Sequence, residues 1–135
     1  MSTSLKLTII TPERKLYDGE IKSINTETTE GHIGILPKHA PIIANLKPTV
    51  TVIKDNKGEV KRLFTSSGLM KVEEDNIIVL CDASEWKEEI DFNRAEKAKE
   101  RAENRLKNRE EGLDVNRAEI ALCRALVRLK FKDLL

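Results

Sequence analysis

Hydrophobic and polar positions along this chain follow two different rhythms. From Leu5 the first rhythm is alternation: Leu5, Leu7 and Ile9 on one side, Lys6 and Thr8 on the other. That period of two predicts a half-buried strand. Thr11-Pro12-Glu13-Arg14-Lys15 reads as a turn and Asp18-Gly19 as another, with Ile21 and Ile24 marking a further strand between polar stretches. Thr26 to Glu30 is polar and expected to be exposed. Val50, Val52 and Ile53 run into Asp55-Asn56-Lys57-Gly58, a hairpin turn signal, and Val60, Leu63 and Phe64 return. Ser66-Ser67-Gly68 turns the chain again, Leu69, Met70 and Val72 lead to Glu73-Glu74-Asp75-Asn76, and Ile77-Ile78-Val79-Leu80 reads as a final, well-buried strand. Short strands with turns every eight to twelve residues predict an antiparallel β-sandwich or barrel. Ala83 to Glu89 carries four charges and Trp86 without a β pattern, so the first domain is placed at 1–84 and the second at 85–135.

The second rhythm has helical spacing. Ala95, Ala98, Ala102 and Leu106 recur at three and four residues, as do Ala118, Ala121, Leu122, Ala125, Leu126 and Leu129. The two runs open on one phrase used twice, Ile90-Asp91-Phe92-Asn93-Arg94-Ala95-Glu96 and Leu113-Asp114-Val115-Asn116-Arg117-Ala118-Glu119. An Asp ahead of a helix accepts bonds from the first free backbone N–H groups and suits the positive end of the dipole. Gly112 terminates the first run without steric cost. The prediction is a C-terminal antiparallel two-helix hairpin with an alanine seam. Val115, Ile120, Val127 and Phe131 are surplus to that seam. Two readings follow: a hairpin that moves and covers its surplus elsewhere, or one that packs permanently.

Composition removes several classes of function. Charged residues make up 35% of 135 and nearly cancel, leaving a net charge of +1, and five residues are aromatic. Neither a basic patch nor a stacking platform for nucleic acid is evident. No apolar run is long enough for a transmembrane helix, and Met1-Ser2-Thr3-Ser4 has no signal-peptide character. Cys81 and Cys123 are far apart and read as reduced thiols. His32 and His39 lack a third metal ligand, and neither a phosphate-binding glycine loop nor a nucleophile with its base is present. The sequence therefore predicts neither an independent enzyme nor a metal site.

Gly31-His32-Ile33-Gly34-Ile35-Leu36-Pro37-Lys38-His39-Ala40-Pro41 is the most distinctive stretch of the β half. A glycine inside a strand marks close backbone approach or a bulge. With Thr11-Pro12 and the doubled Asp-x-x-Arg-Ala helices, it resembles the epsilon-subunit family of the bacterial F-type ATP synthase, over nearly the whole chain. The resemblance implies a ten-stranded sandwich and a helical hairpin in a non-catalytic subunit of the rotor's central stalk. Such a subunit couples transmembrane ion flow to ATP synthesis at the cytoplasmic side of the cell membrane, peripheral to it. The implied partners are the gamma subunit, the membrane c-ring that carries the ions and, for an extended hairpin, the catalytic alpha/beta head, whose ATP hydrolysis it inhibits. Gly31, His32, Leu36, Pro37, His39 and Pro41 are the docking residues this implies; a tight structural bend explains each equally.

No cofactor is required on this reading, but ATP is implied as a regulatory ligand. Ile90-Asp91-Phe92-Asn93-Arg94-Ala95 matches the nucleotide-binding motif of some members in full. Asp91 and Arg94, preceded by Glu85 and joined by Arg101, Arg124 and Arg128, are the implied ATP contacts. Guanidinium groups from two helices suit a polyphosphate. The plainer alternative makes Asp91 a cap and the arginines surface charges; Arg117, Lys130 and Lys132 likewise can meet acidic partners or only water. Two departures stand out: Lys38 and Ser67 occupy positions where the family commonly has glycine. If either needs positive φ, the side chain pays a conformational cost. The rival function is a free ATP-sensing or adaptor module outside the synthase, distinguished by whether the chain co-purifies with gamma.

Overall fold

The structure, a computed structural model, describes residues 4–109 and 112–134. It divides into two compact units, Met1–Trp86 and Lys87–Leu135.

The first unit is built from nine strands: β1 (Leu5–Ile10), β2 (Lys15–Thr28), β3 (Gly31–Ile35), β4 (Ile42–Leu46), β5 (Thr49–Asp55), β6 (Val60–Thr65), β7 (Gly68–Glu73), β8 (Asn76–Cys81) and β9 (Ser84–Trp86). β2 is the member that joins the layers. Its first half pairs with β1, Leu5 opposite Ile21. Its second half takes β3 on one edge and β5 on the other, with Ile24 opposite both Ile35 and Ile53. One layer continues from β1 to β8, β7 and β4, and the other from β5 to β6 and β9. The family resemblance implied ten strands; nine are described, and β2 is long enough to serve both layers. β1 and β8 run parallel, and the other pairs are antiparallel.

The core between the layers is aliphatic: Leu5, Leu7, Ile9, Ile21, Ile24, Ile35, Ile53, Leu63, Met70, Val72, Ile77 and Val79 are buried. Their positions obey the period-two rule strand by strand. Three sequence expectations are corrected by this packing. Ile77-Ile78-Val79-Leu80 is not buried throughout, since Ile78 and Leu80 are 42% and 48% exposed on the outer face. Thr26 and Thr28 are buried rather than exposed. Thr26 shares a hydrogen bond of 2.9 Å with Thr51, and Thr51 one of 2.7 Å with Thr65, so a file of hydroxyls satisfies itself inside the sheet. Asp18-Gly19 is not a turn; Gly19 sits mid-strand opposite Leu7.

Ala83 to Glu89, read from sequence as lacking β structure, contains β9. Trp86 pairs with Leu63 and packs against the core, and Ser84 donates to the Phe64 carbonyl at 2.8 Å. Gly34 marks a close approach, as expected: a Cβ there would lie 2.8 Å from Asn25 Oδ1.

The second unit begins with a short 3-10 turn (Lys87–Glu89), followed by α1 (Phe92–Asn108) and α2 (Val115–Lys132), which pack against each other. Asp91 caps α1, its Oδ1 accepting from the Arg94 N–H at 3.0 Å, and Asp114 caps α2 the same way from Arg117 at 3.0 Å. α1 ends on Arg109 in the left-handed conformation, and Gly112 has φ +84°. Ala95 and Ala102 of α1 and Ala118, Ala125 and Phe131 of α2 are buried, while Leu126 is exposed and not in the seam. The four buried alanine methyls, at about 0.8 kcal/mol each, contribute on the order of 3 kcal/mol, to which the burial of Phe131 adds. Of the surplus apolar residues, Phe131 is buried and Ile120 is exposed.

Candidate functional site

Two regions carry the residues singled out in the sequence. The first is the hairpin. Arg94, Arg101 and Arg105 are spaced by seven and four residues, so they form one row along α1; Arg117, Arg124 and Arg128 repeat that spacing on α2. Arg94 and Arg101 are exposed, whereas Arg124 and Arg128 are half-buried. The antiparallel course places Asp91 and Arg94 at the end of the hairpin that carries Arg128. Towards the turn the rows converge. Arg105, Arg117 and Arg124 line one open cavity of about 590 Å³, floored by Leu113, Ala118, Ile120 and Ala121 and with Asp114 as its acidic member. Arg101 and Arg105 line a neighbouring one of about 200 Å³.

Arg105 links the two hollows and was not singled out in the sequence. Its position, four residues beyond Arg101 as Arg128 lies four beyond Arg124, was the signal available. Glu85 stands apart from this set: it is half-buried on β9, in the first unit, opposite Phe64. Asp91 holds its cap with one carboxylate oxygen, Oδ1, so the cap role is real whatever else the residue binds.

The second region is the surface of the sandwich. His32 is exposed at the start of β3, with Nε2 3.5 Å from Glu27 Oε1. Glu27 also meets Lys47 Nζ at 3.0 Å and accepts from the Thr49 hydroxyl at 3.1 Å. Partial burial pushes the Glu27 carboxyl upward. The hydrogen bonds from Lys47 and Thr49, with the charges of Lys47 and His32, outweigh it and hold the group below its ordinary value.

Gly31 has φ +129°, and Leu36 is 63% exposed beyond the end of β3. Lys38 adopts φ +66°, the left-handed conformation that a glycine would take freely, and its N–H donates to Asp75 Oδ1 at 2.6 Å. Ser67, the other departure, has no positive φ. His39 is half-buried, with Nδ1 2.6 Å from the Ala40 carbonyl oxygen, and Pro37 is half-buried while Pro41 is exposed. Gly31 and His32 line a hollow of about 370 Å³ shared with Ile42, Ile43 and Asn45.

Sequence reasoning missed a patch next to this segment. Register sets Ile43 opposite Lys71 and Lys71 opposite Ile78, while Leu69 lies between Asn45 and Leu80. Ile43, Leu69, Ile78 and Leu80 are 66%, 39%, 42% and 48% exposed, so the outer face of β4, β7 and β8 is an apolar patch. The alternation of Ile78 and Leu80 with Ile77 and Val79 was the available signal.

Among the described residues no cluster of His, Cys, Asp or Glu can hold a metal ion, and no helix is long and apolar enough to cross a membrane.

The chain matches two family models in succession: the beta-sandwich domain of the ATP synthase Delta/Epsilon chain over residues 4–87, and its long alpha-helix domain over residues 88–132. It is 49% identical over 130 residues to the ATP synthase epsilon chain of Clostridium novyi, covering 96% of this chain and 98% of that one. The same identity holds over 134 residues with the epsilon chain of Clostridium botulinum, covering 99% and 100%. Among solved structures, a chain of the Euglena gracilis mitochondrial ATP synthase (OSCP/F1/c-ring) superposes with TM-score 0.83 at 22% identity, covering 98% of this chain and 82% of that one. A chain of the Tetrahymena thermophila mitochondrial ATP synthase central stalk and c-ring superposes with TM-score 0.61 at 17% identity, covering 94% and 95%. Those two likenesses are of fold. With both of its units matched in order and its full length aligned at this identity, the chain belongs to the Delta/Epsilon family of ATP synthase chains, as an epsilon-type, non-catalytic member.

Proposed function

We propose that this chain sits in the central stalk of an F-type ATP synthase, holding the rotor together through its sandwich and restraining ATP hydrolysis through its hairpin. The partners of the sandwich are the gamma subunit and the membrane c-ring. The apolar patch of Ile43, Leu69, Ile78 and Leu80 supports docking of that face, because isolated apolar residues are common on surfaces but contiguous ones call for a cover. The Gly31–Pro41 segment leads directly into β4, and Leu36 within it is itself exposed. The enzyme is peripheral to the cell membrane through this assembly, on its cytoplasmic side.

The observation that carries the regulatory part is the pair of arginine rows on a hairpin whose seam is alanine. A polyphosphate bridging Arg94 and Arg101 on α1 to Arg124 and Arg128 on α2, with Asp91 nearer the nucleoside, would tie the two helices together. ATP at a hundred times its dissociation constant adds about 2.7 kcal/mol to the state that binds it. That is comparable to what the four buried alanines contribute, so ATP shifts the balance towards the folded hairpin. Without the ligand, the helices part and α2 reaches the catalytic alpha/beta head, with Arg117, Lys130 and Lys132 towards acidic partner surfaces.

The test is ATP titration of the purified full chain, followed by the chemical shifts of α1 and α2. The folded hairpin should saturate with ATP, and Arg94→Ala or Arg128→Ala should weaken binding at least tenfold. An unchanged affinity in both variants would remove the nucleotide from this site.

A further inference from the structure

The open end of the hairpin is fastened by a residue that lies outside both helices. Lys87 precedes α1, in the turn whose carbonyl receives the Ile90 N–H at 3.2 Å. Its ammonium donates to the carbonyl oxygen of Leu134, 47 residues further on, just past the end of α2. The same nitrogen stands 5.9 Å from the centroid of the Phe131 ring, and Phe131 is 1% exposed. α2 closes with N–H bonds from Asp133 to Lys130 at 3.2 Å and from Leu134 to Phe131 at 3.1 Å. The last carbonyls of a helix lack partners within it and sit at the negative end of its dipole. Asp133 adds a carboxylate at that end, so a cation is favoured there. An ammonium that also lies over an aromatic face gains from the ring quadrupole.

We infer that Lys87 is a clasp that holds the C-terminal turn of α2 to the root of α1, so that the hairpin opens only when this contact is released. The chain itself joins the helices at the other end, and the alanine seam between the two fastenings is weak. Release at the Lys87 end frees α2 without unfolding α1, whose cap at Asp91 is made locally. The consequence for regulation rests on the proposed mobile hairpin. The clasp itself does not, and it is tested on the full chain alone.

The experiment is amide hydrogen exchange on the wild-type chain, Lys87→Met and Lys87→Arg, resolved over α2, α1 and the sandwich. Methionine keeps the length and loses the charge; arginine keeps both charge and ring contact. The clasp predicts that Lys87→Met speeds exchange of the amides from Leu129 to Leu134 by roughly ten- to a hundredfold, as expected for losing a hydrogen bond to a charged donor. Lys87→Arg should stay within about twofold of wild type, and amides of α1 and the sandwich should not change in either variant. Unchanged exchange at the end of α2 in Lys87→Met would overturn the clasp. So would equal acceleration in the sandwich, which marks a general loss of stability. If exchange moves as predicted while suppression of hydrolysis by the assembled subunit does not, the clasp stands and the regulatory proposal falls.

Discussion

Gly68 is where the sandwich has least room, and replacing it with alanine measures how closely the layers' strands are pressed. Gly68 lies at the start of β7, opposite Leu46 of β4 and Cys81 of β8. A Cβ there would stand 2.0 Å from the Leu80 carbonyl oxygen, 2.6 Å from Cys81 Cα and 2.9 Å from Cys81 Cβ. Two of those atoms are backbone, so no side chain can swing aside. β7 and β8 must separate by roughly 1 Å or more, which is enough to lose a ladder hydrogen bond. One or two lost bonds at about 1 kcal/mol each, with about 1–3 kcal/mol of overpacking, give Gly68→Ala a cost of about 2–5 kcal/mol. Gly58→Ala is the comparison. Gly58 has φ +82°, and its added Cβ would meet nothing nearer than Lys54 Cε at 4.0 Å. Its cost is conformational alone, about 1–2 kcal/mol. Urea unfolding of the full chain, followed by Trp86, reads this directly, because Trp86 is the single tryptophan and packs on the sandwich core. At a urea slope of about 2 kcal/mol/M, Gly68→Ala should lower the midpoint by about 1–2.5 M and Gly58→Ala by about 0.5–1 M. A Gly68→Ala loss no larger than that of Gly58→Ala would refute the close-approach reasoning.

Lys38→Gly should raise stability by about 0.5 kcal/mol, the left-handed penalty less the added freedom of the unfolded chain, whereas Asp75→Ala should lower it by about 1–2 kcal/mol by removing the acceptor of the Lys38 N–H. Thermal unfolding of both variants gives the signs. Burial pushes the Cys81 thiol up to about 11, although a backbone bond from Ser66 works against it. Cys123, half-buried on α2, should therefore react with a thiol reagent at pH 8 in the native chain while Cys81 should not. Because the folded state keeps the Cys81 proton that the unfolded state releases near pH 9, stability should fall as pH rises from about 9 to 11, and Cys81→Ala should flatten that limb. In acid the sign reverses. Asp55, held below its ordinary value first by the Glu59 N–H and then by the Lys57 N–H and the charges of Lys61 and Lys57, and Glu27, held low as described, contribute stability above their unfolded pKa values. That stability is lost as pH falls through their folded values, so Asp55→Asn and Glu27→Gln should each shrink the acid-induced drop in midpoint.

Local signals carried most of the fold. Asp91 and Asp114 do in the structure what their positions in the sequence predict, because caps act within one turn of the chain, whereas α1 is ended by Arg109 in the left-handed conformation rather than by Gly112. The turns at Asp55–Gly58 and at Glu74-Asp75 were legible for the same reason, and the latter places two non-glycine residues at φ +49° and +62°. The misses were tertiary. Thr26 and Thr28 look exposed in sequence because they are polar, but Thr51 and Thr65, from other strands, provide the partners that allow a buried hydroxyl file. Ile78 and Leu80 look buried because they are apolar, yet register puts them on the outer face, where this chain alone offers no cover. β9 is three residues long and pairs only through Leu63, Phe64 and Thr65, too short to impose a period. In the candidate site, the arginine spacings were visible, but that Arg105 joins Arg117 and Arg124 around one hollow depends on how α1 folds back on α2.

The central claim is that the sandwich holds the stalk and the hairpin restrains hydrolysis. Its most direct measurement is an add-back assay on the source organism's catalytic assembly, stripped of this subunit but retaining gamma. The full chain and a version ending at Trp86, where the first compact unit closes, would be compared for binding to gamma and for suppression of ATP hydrolysis. Both should bind and only the full chain should suppress, with suppression relieved as ATP rises. Binding by both with equal suppression, or with none, would contradict the regulatory role of the hairpin, and failure of the full chain to bind gamma would contradict its place in the stalk.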